Sequence, residues 1–299
     1  MFSTVSLRRG LTGLVPLVVV LACVASVRTV AAAEPAGLKF SKRCLMISPN
    51  EGCAIADANR DGKPDVIAGS HWFAGPDFIP HPLRDIPQVS LGFGAAEFYA
   101  SNGDHPCDVN GDGREDILCA VGWYENPGGD VFAKPWTLHP ETKLSGAASP
   151  FLVVDVNGDG RNDIVWGKGH DYGVYWRQQG PPKPDGTTTW TEHLIDKSWS
   201  QAHTLTWADL DGDGQGELIT GKRVRGHGDM DPGAAEPECL YYYKWDKAAA
   251  RFVRYTISPP GGGVGTGMQI CVADLNGDGR PDIAVSGKTG TWVLLNEGK

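Results

Sequence analysis

Short apolar runs alternate with polar, glycine-rich segments along most of the chain. The clearest runs are only three or four residues long and flank one type of acidic segment, as at Cys53–Ala56 and Val66–Ala68, Phe151–Val154 and Ile164–Trp166, and Ile270–Ala273 and Ile283–Val285. Runs of this length, bounded by turn residues, are typical of β-strands rather than of helices, which need longer periodic segments. Each acidic segment is therefore predicted to join two strands of a hairpin.

The acidic segment is a nine-residue repeat with five copies, which begin at Asp57, Asp108, Asp155, Asp209 and Asp274. An internal repeat of this period indicates an array of similar structural units. Positions one, three, five and nine carry side-chain oxygens, and glycine occupies position six in every copy. The residues at positions one, three, five, seven and nine are Asp57, Asn59, Asp61, Lys63 and Asp65; Asp108, Asn110, Asp112, Arg114 and Asp116; Asp155, Asn157, Asp159, Arg161 and Asp163; Asp209, Asp211, Asp213, Gln215 and Glu217; and Asp274, Asn276, Asp278, Arg280 and Asp282.

This pattern suits a hard cation. Carboxylate and amide oxygens, with the carbonyl of position seven aimed inward by the turn at glycine, match the six to eight oxygen ligands that Ca²⁺ takes, whereas Mg²⁺ demands stricter octahedral geometry. An EF-hand would need Glu at position twelve, which holds Ala68, Cys119, Trp166, Thr220 and Val285. The alternative is a set of Asx-rich turns that bind nothing. We predict up to five Ca²⁺ ions, held by the 25 residues named above.

Two further strands follow most of the hairpins. The third strand is clearest at Gly173–Trp176, Tyr241–Trp245 and Thr291–Leu295, and the fourth begins with an aromatic residue at Phe78–Leu83, Trp136–His139, Trp190–Ile195 and Phe252–Ile257. The last repeat lacks a fourth strand, but Phe40–Ile47 at the other end of the chain has the same character. The sequence therefore predicts an all-β, five-bladed β-propeller of four-stranded antiparallel blades, whose ring is closed by the N-terminal strand.

The five loops with their flanking apolar strands resemble the FG-GAP or VCBS repeat family, over nearly all of residues 38–299. The same repeat type occurs in the heads of integrin alpha subunits and in bacterial and fungal propellers that act on polysaccharides or sugars. The resemblance implies a propeller that binds calcium, of the bacterial exported type. It leaves the function open, because one fold can carry many functions. The fourth loop departs from the pattern at Gly216 and Glu217.

The first 33 residues read as a secretory signal that precedes a single domain, residues 34–299. Arg8 and Arg9 precede an apolar run, and Ala31 to Ala33 provide a cleavage site before Glu34. The run is short for a membrane span, and no later segment is apolar enough for one. We therefore predict a secreted, periplasmic or cell-surface protein with no membrane span after cleavage. A net charge of −9 argues against a nucleic-acid partner. Six cysteines remain after cleavage, and their spacing leaves any disulfide pairing open.

The connections opposite the cation loops are predicted to carry the function. The longest insertions, Asp85–Gly103 and Lys222–Glu238, fall on that face, where binding residues tend to lie. The predicted ligand-binding residues are His203, Trp199, Lys222, Arg223, His170 and Lys168, and the candidate acid–base residues are His203, His105 and His71. Glu51, Asn102, Asp104, Lys288, Trp72 and Tyr172 are expected nearby.

Two functions fit these residues. The first is an extracellular binding or adhesion module, with glycans as one candidate class of ligand, because lysine and arginine suit carboxylates and aromatic rings suit sugar faces. The alternative is a carbohydrate-active lyase or dehydratase, in which a histidine of near-neutral pKa removes a carbon-bound proton. The sequence does not decide whether the protein is an enzyme, and a solvated polar rim without a ligand remains the third possibility.

Overall fold

A computed structural model describes residues 34–48, 50–85, 88–90, 97–99, 103–110, 112–119, 122–129, 131–140, 151–181, 183–184 and 189–299. The predicted signal sequence, Asn102 and much of the first long insertion lie outside these residues. Within them the chain forms β-strands and a 3₁₀ turn at Gly226–Asp229. No helix in this described part is long and apolar enough to cross a membrane.

The strands form five four-stranded antiparallel sheets. The N-terminal strand β1 spans Lys39–Met46. The first sheet then contains β2 (Ala54–Ala56), β3 (Asp65–Ala68), β4 (His71–Ala74) and β5 (Ile79–Pro82). A separate hairpin follows, formed by β6 (Gln88–Ser90) and β7 (Glu97–Tyr99) within the insertion predicted at 85–103. The second sheet contains β8 (His105–Cys107), β9 (Asp116–Cys119), β10 (Gly122–Glu125) and β11 (Thr137–His139).

The next two sheets repeat the same order with longer strands. The third contains β12 (Phe151–Val154), β13 (Asp163–Gly167), β14 (Tyr172–Gln179) and β15 (Trp190–Ser200). The fourth contains β16 (Ala202–Ala208), β17 (Glu217–Lys222), β18 (Leu240–Asp246) and β19 (Arg251–Ser258). The fifth contains β20 (Ile270–Ala273), β21 (Asp282–Gly287) and β22 (Gly290–Gly298). Each nine-residue repeat joins the first and second strands of its sheet, as predicted.

The N-terminal strand β1 completes the fifth sheet. It pairs antiparallel with β22, with Phe40 opposite Asn296 and Cys44 opposite Trp292, so the two ends of the described chain share one sheet. The five sheets match a five-bladed propeller, and the prediction of an all-β fold of four-stranded blades is confirmed. Closure of the ring stays a prediction.

Neighbouring sheets are joined by apolar packing and by buried side-chain amides. One cluster packs the first sheet on the second through Ile67, Trp72 and Ile117, and comparable clusters join the third to the fourth, the fourth to the fifth, and the fifth to the first. The Asn296 amide donates to the Leu210 carbonyl of the fourth sheet at 2.9 Å, and the Asn126 amide donates to the Ala58 carbonyl of the first sheet at 2.9 Å. These bonds fix adjacent sheets at the end that carries the nine-residue loops.

A tryptophan on the third strand faces a histidine on the fourth in three sheets. The cross-strand pairs are Trp72 with His81, Trp123 with His139 and Trp176 with His193, with ring centroids 4.2–4.6 Å apart. Aromatic pairs across neighbouring strands stabilise a sheet by roughly 0.2–1 kcal/mol each. These histidines therefore have a structural role in the described sheets.

Candidate functional site

The five nine-residue loops share one backbone geometry, set by the glycine at position six. Its φ lies between 81° and 83° in all five copies, a region that favours glycine. The turn allows the carboxylate at position one to accept the N–H groups of positions five and six, as Asp155 does from Asp159 at 3.1 Å and from Gly160 at 2.7 Å. The carboxylate at position five accepts the N–H of position seven in each loop, at 2.9–3.0 Å. Acidic side chains are thereby held together before any ion is considered.

The acid at position nine has a second role that the sequence pattern does not reveal. Asp65, Asp116, Asp163 and Asp282 are fully buried, and each joins its own hairpin to the third strand. In the first sheet, for example, Asp65 accepts the N–H of Ala58 at 2.9 Å and that of Gly75 at 2.9 Å. Burial raises the pKa of Asp65 to about 6, although these two hydrogen bonds oppose the shift. Position nine therefore braces the blade whether or not it also contacts an ion.

The basic residue at position seven fastens three of the loops to the third strand. The Nε groups of Arg114, Arg161 and Arg280 donate to backbone carbonyls of Asn126, Gln179 and Asn296 at 2.6–3.0 Å. The same guanidinium groups contact the carboxylates at position five, Asp112, Asp159 and Asp278. Positions one, three and five each offer a side-chain oxygen, which fits the hard-cation chemistry of Ca²⁺. In the fourth loop, ligand atoms of Asp209, Asp211 and Glu217 lie within 4.8 Å of one another.

On the opposite ends of the strands, basic and acidic side chains from four sheets meet. We call Glu51, His170, His203, Arg223 and Lys288 the mouth cluster. Glu51 accepts two hydrogen bonds from Arg223, from Nε and Nη2, both at 2.7 Å, and a third from the Lys288 ammonium at 2.9 Å. The rings of His170 and His203 meet edge to face with centroids 4.8 Å apart. Within the cluster the buried carboxylate of Glu51 faces the two cations Arg223 and Lys288, and Asp229 adds a negative charge that acts on Lys288.

His203 is turned toward Arg223, which constrains its chemistry. Its Nε2 lies 3.3 Å from Nη1 of Arg223. A guanidinium group only donates, so a hydrogen bond in this contact requires Nε2 as the acceptor and the ring proton on Nδ1. The lone pair that a general base would use is therefore directed at arginine rather than at a substrate. This arrangement favours a role for His203 in orienting Arg223.

The exposed edge of the mouth cluster carries both basic and acidic side chains, which can donate or accept hydrogen bonds. His170 is half-exposed and its Nδ1 lies 3.0 Å from Asp231, while the Lys168 ammonium lies 3.3 Å from Asp171. The Tyr172 hydroxyl donates to Glu236 at 2.5 Å. Lys168 also lies over the ring of Tyr175, at 5.6 Å from its centroid. We call Lys168, His170, Asp171, Tyr172, Asp231 and Glu236 the rim.

Two of the residues predicted to bind ligand, and one that was expected nearby, lie elsewhere. Lys222 is fully buried, and its ammonium donates to Ser200 Oγ at 2.6 Å and to the Gly233 carbonyl at 2.7 Å, which holds the second long insertion against β15. Trp199 is buried and donates to the Tyr243 hydroxyl at 2.9 Å, and Trp72 lies in the core. We therefore reassign these three side chains to structural roles, because none presents a surface to a ligand.

The three candidate acid–base histidines belong to different sheets. His71 begins β4 and its Nδ1 bonds to Ser70 Oγ at 2.9 Å, and His105 begins β8 with an exposed side chain. His203 has its described contacts with His170 and Arg223. The mouth cluster is thus built on His170 and His203, and the proposal that His71 and His105 share its chemistry has no support from these contacts.

Gln269 is a positioning residue near the mouth that sequence reasoning missed. Its Oε1 accepts the N–H of Cys53 at 3.0 Å and of Asp104 at 2.8 Å, and its Nε2 donates to the Asp104 carbonyl at 2.9 Å. One side chain thereby links the first, second and fifth sheets. It belongs to no motif, and a single glutamine before an apolar strand offers no signal of this role in the sequence.

Comparisons with known proteins identify the repeats. An FG-GAP-like repeat model matches residues 108–166 and 155–220, and an FG-GAP repeat model matches residues 266–294. A comparison with curated proteins gives no match. Among solved structures, the crystal structure of the V. cholerae biofilm matrix protein Bap1 aligns at 19% identity with a TM-score of 0.22, over 75% of this chain and 30% of that one. The aligned part is less than a third of the Bap1 chain.

Proposed function

The chain contains FG-GAP repeats, and from that premise we propose that it is an extracellular binding module of adhesion type, whose ligand docks at the mouth cluster and its rim. The nine-residue loops at the other ends of the strands hold Ca²⁺ and stabilise the blades. The observation that carries the proposal is the convergence of Glu51, Arg223 and Lys288 from three different sheets beside a rim of exposed polar groups.

The chemistry of the rim suits a polyhydroxylated ligand, and its two basic groups can also contact a negative group on that ligand. Asp171, Asp231 and Glu236 can accept hydrogen bonds from hydroxyl groups, while Lys168 and His170 can donate to a carboxylate or sulfate. Arg223 and Lys288 outnumber Glu51, but Asp229 acts on Lys288 and the rim contains three acids, so a negative group on the ligand is recognised by direct contact with basic side chains and not by the net charge of the site. An acidic glycan combines both kinds of group, so we propose acidic glycans as the ligand class.

Binding is preferred to catalysis because of the contact between His203 and Arg223. A lyase or dehydratase needs an unprotonated ring nitrogen within reach of the reacting carbon-bound proton. The only unprotonated nitrogen of His203 in this arrangement points at Arg223. A binding module needs no such base, and it uses the buried charges only to orient its ligand.

A glycan array tests the proposal, with uronic-acid, sulfated and neutral oligosaccharides presented to the mature protein in millimolar Ca²⁺. We expect selective retention of acidic glycans, followed by about tenfold weaker binding in His170→Ala, which corresponds to about 1.4 kcal/mol. His193→Ala is the matched control, since His193 stacks on Trp176 in the third sheet. Equal binding by His170→Ala and wild type would reject the site, and release of a chemically altered sugar would indicate the enzymatic alternative.

A further inference from the structure

The fourth nine-residue loop differs from the other four in where its positive charge comes from. Its position seven is Gln215, whereas the other loops have Lys63, Arg114, Arg161 and Arg280 there. Its position three is Asp211, whereas the others have asparagine. Compared with the other four loops, the fourth loop therefore has one cation fewer and one carboxylate more.

Lys244, on the third strand of the same sheet, reaches into this loop. Its ammonium lies 2.9 and 3.0 Å from the two carboxylate oxygens of Asp211 and 2.5 Å from Asp213. It also lies 3.3 Å from Oε1 of Glu217, which is fully buried. One ammonium group thus contacts the acids at positions three, five and nine together, where the ligands of a metal ion would converge.

The same sheet position holds no cation in the other four blades. The residue that follows each nine-residue repeat pairs with a residue of the third strand, and Lys244 is the next residue along that strand in the fourth blade. The residues at the same place in the other blades are Ala74, Glu125, Gln178 and Leu295. In those blades the asparagine at position three donates its amide to the acid at position five, as Asn157 does to Asp159 at 2.9 Å. Asp211 has no proton to donate at neutral pH, and Lys244 supplies the donor instead. The two departures at 211 and 244 therefore compensate for each other.

A lysine ammonium is a compact point charge with three donors, so it can satisfy three carboxylates at once. A calcium ion at the same oxygens would lie within a few ångströms of the ammonium and repel it. Uptake of a metal ion would require Lys244 to leave the loop and to give up all three contacts. The arginines of three other loops contact only the acid at position five. Asp209, Asp211 and Glu217 do offer ligand atoms within 4.8 Å of one another, but Lys244 already contacts two of these acids. The fourth loop consequently does not fit Ca²⁺ in the way that the other loops do.

We propose that Lys244 closes the fourth loop in place of a metal ion, so that the protein takes up four calcium ions rather than five. The count of four rests on the proposed function of the other loops, whereas the role of Lys244 does not. The proposal assigns a built-in cation to one blade, which stays braced when calcium is removed.

The test combines a metal count with melting curves for wild type and Lys244→Met. After dialysis against Ca²⁺, elemental analysis should give four ions per wild-type chain and five per Lys244→Met chain. In chelator, Lys244→Met should melt roughly 5–10 °C below wild type, because the loop carboxylates lose the ammonium that contacts all three of them and keep only the largely exposed Lys299, 3.2 Å from Asp211; Ca²⁺ should remove that difference. Lys247→Met, which removes an exposed lysine three residues away, is the control and should change neither quantity.

Five ions in wild type would overturn the proposal, as would equal melting of wild type and Lys244→Met in chelator. If wild type binds no calcium yet Lys244→Met is destabilised, the calcium function fails and the bracing by Lys244 stands. If Lys244→Met does not fold, the double variant Asp211→Asn with Lys244→Gln recreates the asparagine and glutamine of the third blade, Asn157 and Gln178. Failure of that variant to gain an ion would also overturn the proposal.

Discussion

Replacement of Glu51 by glutamine probes the mouth cluster most sharply. The change keeps the shape of the side chain but removes the negative charge that faces Arg223 and Lys288. Glu51 is 2% exposed, and the side chains of its two partners are 3% and 8% exposed. Removal of one partner from a buried ion pair costs about 3–5 kcal/mol, because the other charge stays buried without compensation. At about 2–4 °C per kcal/mol for a domain of this size, Glu51→Gln should melt roughly 6–20 °C below wild type.

The control is Glu192→Gln, which breaks the ion pair of Glu192 with Arg177 at 2.8 Å. Both side chains of that pair are nearly half-exposed, so the change should cost no more than about 1 kcal/mol. The assay is thermal unfolding followed by circular dichroism in constant Ca²⁺. Equal shifts for the two variants would refute the assignment of Glu51 as the buried counter-charge of the cluster.

The same pair predicts a pH dependence. Burial alone would raise the pKa of Glu51, but hydrogen bonds and charges from Arg223 and Lys288 outweigh it and lower the pKa below its ordinary value of 4.5. The stabilisation is therefore complete above that ordinary value and is lost as pH falls through the lower folded-state pKa. The gap in melting temperature between wild type and Glu51→Gln should close in this acidic range, and a gap that stays constant would contradict the linkage.

The remaining predictions concern the junctions between strands and sheets. A chain that begins after Ile47 lacks β1 and should expose the edge of β22, so it should aggregate in size-exclusion chromatography; a monomeric variant of unchanged stability would contradict the role of β1. Asn296→Ala removes the buried amide that joins Leu210 and Pro281, and should cost about 2 kcal/mol in urea unfolding because two carbonyls lose their donor. An Asn296→Ala midpoint equal to that of wild type would show that this junction is dispensable.

The fold could be predicted from the sequence because the same pattern of apolar runs around an acidic, glycine-containing turn occurs five times. Glycine at position six allows the positive-φ turn that other residues rarely adopt, and the short apolar runs on both sides favour paired strands. Phe40–Ile47 could be matched to the last blade because that blade alone lacked a fourth strand. These are local signals, and they do not depend on which blades lie beside one another.

The candidate site was only partly predictable, because burial depends on long-range packing. Topology placed Arg223, Lys288 and Glu51 at one end of the strands, but residue type could not show that Lys222 points inward while its neighbour Arg223 faces Glu51. Successive side chains along a strand point to opposite faces of the sheet, and only the packed structure shows which of the two side chains reaches the mouth cluster. Likewise, Lys244 lies 33 residues along the chain from Asp211, and nothing in the nine-residue pattern points to it.

The most direct test of the central claim is thermal unfolding of the mature protein in chelator and in millimolar Ca²⁺, with Mg²⁺ as the control ion. An ion that binds only the folded state stabilises it by mass action. We expect a melting temperature that is markedly higher in Ca²⁺ than in chelator, restored when Ca²⁺ is added back, and little raised by Mg²⁺. Superimposable curves in chelator and Ca²⁺ would contradict the claim that the repeated loops hold calcium and brace the blades.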